Sequence, residues 1–242
     1  MYHFSNFLLF LFTVLGGSVP LLGVPVSERN MHGILAFSGS FLLGMTLLHL
    51  LPESMEELGH EAGLLTLGGF FLQLFIQRLT HGAEHGHHHT PHEGTPKGAV
   101  VGIIGGLVLH AAMEGLPLGF NYRQAGTSPS LYLAVAAHKL PEAMIVTMLA
   151  RAAWGRAKGW LAIVLFAAVT PLAGTLAHSL GTQYQAMAQA TAYVIPIVAG
   201  AFLHISTTIF YESGTQNHHL NVRKVLAIAL GLAVALATLL LH

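Results

Sequence analysis

Runs of about twenty apolar residues recur along the whole 242-residue chain. They constrain the architecture before any motif is read, because a membrane-spanning helix needs roughly 17–25 mostly apolar residues. Such runs lie near residues 4–24, 32–52, 62–80, 98–120, 130–150, 159–180, 189–211 and 222–241, which makes eight. Only 8% of the residues are charged and 53% are hydrophobic, against about 25% charged in an average soluble domain. The expected fold is therefore all-α: a polytopic membrane protein of eight transmembrane helices, with residues 1–242 forming one domain in a lipid bilayer. The first run lacks a basic leading segment and a small-x-small cleavage pattern, so it reads as a helix rather than a signal peptide. The formal net charge is +0, which gives no support to nucleic acid as a partner. Cysteine is absent, so disulfides and thiolate metal sites are excluded.

The basic residues supply an independent test. With the N-terminus outside, the inside loops hold Arg29, Arg78, Lys97, Arg151, Arg156, Lys158, Arg223 and Lys224, while the outside loops hold only Arg123. That asymmetry follows the positive-inside rule, and losing any one span would scramble it. Both termini are expected outside, and the acidic stretch "ESMEELGHE" after the second run is expected to be an outside loop. Small-x-x-x-small pairs, Ser40/Gly44, Gly102/Gly106 and Gly115/Gly119, predict close helix approaches in lipid.

The polar stretch between the third and fourth runs is dense in histidine and rich in Gly and Pro, with no hydrophobic period. Residues 81–97 therefore read as a cytoplasmic loop without a packed core. Its His81, His85, His87, His88, His89 and His92 suit weak capture or buffering of a divalent metal.

Two motifs place polar chemistry inside apolar runs. His110 and Glu114 are four residues apart in the fourth run, and His138 and Glu142 repeat that spacing in the fifth. On a helix each pair shares a face, with Cβ atoms about 5–6 Å apart, near the middle of its span. A carboxylate there costs on the order of 3 kcal/mol or more, so two facing carboxylates need a cation or protons. Two imidazoles and two carboxylates suit a borderline divalent ion such as zinc. Pro117 and Pro141 each remove a backbone donor beside these residues, which is tolerated at membrane depth where the backbone lines a cavity. His49, Glu53, His178, His204 and Glu212 spread along the other spans as pathway or auxiliary metal positions.

The stretch "HAAMEGLPLG", followed by "HKLPEA", resembles the signature of the ZIP (Zrt/Irt-like protein) family of divalent-metal transporters. "FLLGMTLLHLLPES", the His-rich loop and "AGAFLHISTTIFYESG" agree, so the resemblance runs from about residue 32 to the end. It implies eight spans, both termini outside, a metal site between the fourth and fifth spans, and inward movement of zinc or related ions. By position, His110, Glu114, His138 and Glu142 would be the ligands. Two departures matter: many members carry Asn and an acidic residue where this chain has Ala111 and Lys139, and those residues complete a second metal position. Lys139 is three residues before Glu142, close enough to pair with it, and a fixed ammonium opposes a second dication. The chain thus resembles the branches with His-Lys in the fifth span, and a single metal is expected.

Zn2+ is the expected substrate. Cd2+, Fe2+, Mn2+ and Co2+ suit the same ligands, since affinity follows the metal series. Nothing calls for an organic cofactor, and homodimerisation is left open. Two other readings compete. An intramembrane metalloenzyme, a hydrolase, would need a base beside a metal-bound water, but the His-Glu-x-x-His helix is missing. A metal sensor would bind without transport, against which the inner-end polar groups of the seventh run suggest a path through. A short chain without a targeting segment points to a bacterial inner membrane.

Overall fold

The computed structural model describes residues 2–24, 27–80, 96–120, 128–214 and 222–241. Among these the regular elements are all helices, as an apolar chain in lipid requires to satisfy its own backbone. They are α1 (Tyr2–Ser18), α2 (Glu28–Met45), α3 (Leu51–Leu58), α4 (His60–Thr80), α5 (Lys97–Phe120), α6 (Ser128–Trp154), α7 (Arg156–Gln183), α8 (Gln185–Gly214) and α9 (Val222–Thr238). Six stretches of the described residues are long and apolar enough to cross a membrane: Asn30–Leu58, His60–Thr80, Lys97–Gly119, Leu131–Trp154, Arg156–Gln183 and Ala192–Phe210. The first and last of the eight expected spans correspond to α1 and α9, each of 17 residues, and neither is among the six. Helix α1 stops at Ser18, short of the expected residue 24, and turns lead to Gly23, whose φ of 81° favours glycine.

The second run departs further from expectation. A single turn of π-helix, Thr46–Leu50, follows α2 and leads straight into α3. Pro52 explains it. Proline has no N–H to offer the carbonyl four residues back, and the ladder widens so that the Leu51 N–H reaches the Thr46 carbonyl, five residues back. The acidic stretch expected as a loop is instead mostly the helix α3 and the start of α4, divided at Gly59 with φ 57°. Proline at the start of α3 occupies a position whose N–H is dispensable.

The helices pack as two groups. In one group α7 packs on α1, α5 and α6, and α6 also on α1 and α5; in the other α2 packs on α8 and α9, and α4 on α8; α2 against α6, α4 against α5 and α7 against α8 join the groups. Glycines set the closest approaches. A Cβ on Gly115 would lie 2.8 Å from the Ala173 Cβ, and one on Gly119 would lie 2.8 Å from the Ala177 Cβ, so α5 and α7 meet backbone to backbone. Gly44 and Ser40 face Ala235 and Gly231 in the same way across α2 and α9. Gly106 packs on Thr80, but a Cβ on Gly102 would meet nothing within 4 Å, so the expected small pair there packs only at one end. Many buried Ser and Thr hydroxyls bond a carbonyl of their own helix, as Thr147 does with that of Ala143 at 2.8 Å. Large apolar side chains point outward, Leu64, Phe75 and Leu172 among them, as expected where the solvent is lipid.

Candidate metal centre

Helices α5 and α6 carry the polar centre, and α7 closes it. His110 and Glu114 lie one turn apart on α5, and His138 and Glu142 one turn apart on α6. Pro117 and Pro141 sit inside continuous helices. All four side chains are at most 1% exposed. Each offers a ligand atom, and those four atoms lie within 4.8 Å of one another. No other group of three or more His, Asp or Glu side chains able to hold a metal occurs among the described residues.

The carboxylates divide their oxygens between two sides. Oε1 of Glu142 lies 3.0 Å from His110 Nε2 and 3.8 Å from His138 Nε2, and Oε1 of Glu114 lies 3.3 Å from His110 Nε2. Oε2 of Glu142 instead accepts a hydrogen bond from Lys139 Nζ at 2.6 Å, and Oε2 of Glu114 pairs with the same ammonium. Lys139 is 1% exposed and its Nζ stands 5.1 Å from the centre of the Phe166 ring, a cation–π contact. The imidazole side is different. Both ring nitrogens of His110 and His138, and Oε1 of Glu114 and Glu142, are buried without an aligned hydrogen-bond partner. Buried polar atoms rarely stay unpaired. Here they converge, with the borderline nitrogen and hard oxygen donors that zinc-like ions accept. This side can hold a dication; the other already holds an ammonium.

Residues 96–238, more than half of the chain, match the family model of the ZIP zinc transporter. The chain belongs to the ZIP family. The match takes in all of α5 to α9, and so every helix that builds the centre. No curated protein matches the chain significantly. ZIP proteins are membrane transporters of divalent metals rather than enzymes, and the buried His/Glu group could bind such a metal.

Within this ZIP protein the described auxiliary positions are not part of the four-residue group. His49 lies in the π-turn, and its Nε2 is 2.8 Å from Thr238 Oγ1 at the end of α9. Glu53 is in the first turn of α3. His178 stacks on the Tyr2 ring at 4.5 Å, tying α7 to α1. His204 Nε2 is 2.7 Å from Gln77 Oε1, and Phe70 meets the imidazole edge-on at 4.8 Å. The Glu212 side chain and His81, His85, His87, His88, His89 and His92 lie outside the described residues.

Two residues escaped the sequence reading. Phe166 gives Lys139 its aromatic face, and Thr170, one turn on, donates from Oγ1 to the Ala111 carbonyl at 2.9 Å. An aromatic and a threonine in an apolar span carry no signal of their own. The nearest clue is Pro171, which repeats in α7 the proline found beside Glu114 and Glu142.

Proposed function

We propose that this protein carries a divalent metal ion, Zn2+ foremost, into the cytoplasm through a single site formed by His110, Glu114, His138 and Glu142. The observation that carries the reading is the convergence of four buried ligand atoms within 4.8 Å, with both imidazoles and both Oε1 atoms lacking aligned partners. Eight spans with both termini outside fit the basic residues, with α1 and α9 as the outermost two.

Charge accounts for capture and release. Glu114, Glu142 and Lys139 leave one net negative charge, and a dication turns it into one net positive charge. In a low-dielectric interior neither state is deeply bound, so the ion enters without becoming trapped. Lys139 need not move to admit it: each carboxylate turns Oε2 to the ammonium and Oε1 to the imidazoles, so the carboxylates bridge a metal and an ammonium. The ammonium takes the place a second metal would need, which makes the stoichiometry one. Imidazole and carboxylate together favour zinc over harder ions, while Cd2+, Fe2+, Mn2+ and Co2+ compete by availability. His49, Glu53, His178, His204 and Glu212 serve as polar steps towards and away from the centre.

The test is 65Zn2+ uptake into proteoliposomes. Glu114→Ala and His138→Ala should each lose uptake while the protein still inserts and elutes as the parent does. Parental uptake by either variant would overturn the site. Metal binding with no flux in the parent would favour a sensor instead.

A further inference from the structure

We propose that a lateral groove between α1 and the α2–α9 pair is a binding site for a membrane phospholipid with an anionic headgroup. The groove encloses about 1010 Å³. Leu8 and Phe12 of α1 form one wall, Ile34 and Phe37 of α2 with Leu230 of α9 form the other, and Ala136 and Ala137 of α6 form the floor. The α2 wall is open at Gly33, where a Cβ would meet nothing within 4 Å.

The occupant follows from placement and charge. The floor lies on Leu131–Trp154 and one wall on Asn30–Leu58, both apolar enough to cross a membrane. The medium beside the groove is therefore hydrocarbon, and an acyl chain is the ligand already present at high concentration. Leu8, Phe12 and Leu230 stay 46%, 42% and 58% exposed, so the groove opens sideways. Its polar lining is uneven. Asn30 and Arg223 lie together at the first turns of α2 and α9, the end that the basic residues assign to the cytoplasm. A guanidinium has five donors, enough to serve a phosphate beside a protein partner, and basic residues between helix ends on that side suit anionic headgroups. At the other end Tyr132 donates its hydroxyl to Asn6 Oδ1 at 2.8 Å, which occupies it within the protein. The lipid would touch both helix groups and the back of α6, the helix that carries His138 and Glu142. It needs no bound metal, and its binding is separable from transport.

Native mass spectrometry of the full chain in mild detergent tests this, with palmitoyl-oleoyl phosphatidylglycerol and phosphatidylcholine as probes. The parent should bind one phosphatidylglycerol per chain, at least tenfold more tightly than phosphatidylcholine. Gly33→Phe, which fills the groove, should weaken that lipid at least tenfold, and unchanged zinc affinity by calorimetry would show that the fold persists. Arg223→Gln should bring phosphatidylglycerol down to the level of phosphatidylcholine. A phospholipid with a diazirine in its acyl chain should label residues 131–140 of the parent, which tests the site even if Gly33→Phe fails to fold. Unsaturable binding with no headgroup preference would overturn the proposal, as would parental binding by Gly33→Phe. So would labelling elsewhere, or a Gly33→Phe variant that merely converts a dimer to a monomer, since the groove would then be an interface between copies.

Discussion

Replacing Lys139 by Met, which keeps the side chain's length and removes its charge, separates the two sides of the centre. In the native protein one ammonium pairs with both Oε2 atoms, 2.6 Å from that of Glu142, with every group at most 2% exposed. Removing one partner of such a buried set leaves unpaired charge and costs about 3–5 kcal/mol. Without metal, Lys139→Met should therefore unfold at a markedly lower temperature, or hold protons on its carboxylates to survive. With metal the sign reverses. The ammonium repels a dication across the shared carboxylates, and unit charges about 4 Å apart interact by about 4 kcal/mol at an effective dielectric of about 20. Protons bound by the variant offset part of that gain. A net gain of about 2.7 kcal/mol would be a hundredfold in affinity. The expected outcome is zinc binding at least a hundredfold tighter than in the parent, together with slower uptake because the ion no longer leaves. Calorimetry at neutral pH and vesicle flux read the two quantities. Equal affinity in parent and Lys139→Met would refute the account of Lys139 as a fixed counter-charge, whatever the stability change.

Lys139→Asp puts a third carboxylate where the ammonium stood and should raise metal stoichiometry from one to two by equilibrium dialysis; an unchanged value would count against a second position blocked only by charge. Zinc binding needs deprotonated imidazoles and carboxylates, so affinity should fall as external pH is lowered, with proton release on binding measurable in buffers of different ionisation enthalpy. Gly115→Val should push α7 away from α5 and break the 2.9 Å Thr170–Ala111 bond. Overpacking of this kind costs about 1–3 kcal/mol, visible as a lower Tm in detergent, while Gly102→Ala should leave Tm nearly unchanged.

What could be read in the chain was what depends on local period. Four-residue spacing put His110 above Glu114 and His138 above Glu142, and the structure keeps both pairs on single helices. Apolar length marked the runs, although six rather than eight meet the requirement among the described residues. What escaped depends on how helices rotate against one another. The contact of Phe166 with Lys139 is set by the close approach of α7 to α5 at Gly115 and Gly119, and nothing in residues 159–180 announces that rotation. Gly102 had the same local pattern as Gly115 and yet faces open space. The helix over "PESMEEL" was missed for a different reason: proline and charge mark a loop in an average sequence, whereas here proline begins a helix.

On the proposed reading, the division of carboxylate oxygens also accounts for release. A site built only of His110, Glu114, His138 and Glu142 would carry two negative charges and hold a dication tightly in an apolar interior, where a bound metal can contribute on the order of 10 kcal/mol. Affinity on that scale suits a structural site and defeats a carrier, because dissociation becomes slower than any useful turnover. On the proposed reading, placing Lys139 against both Oε2 atoms would lower the affinity without removing a ligand, since Oε1 of each glutamate still faces the imidazoles. Phe166 and the tight α5–α7 contact then matter as supports: a lysine free to swing away would restore the trap, and the ring beneath it with the surrounding packing keeps the ammonium in place. Shortening Phe166 to Ala, far from any metal ligand atom in sequence, should therefore slow zinc release rather than weaken zinc binding.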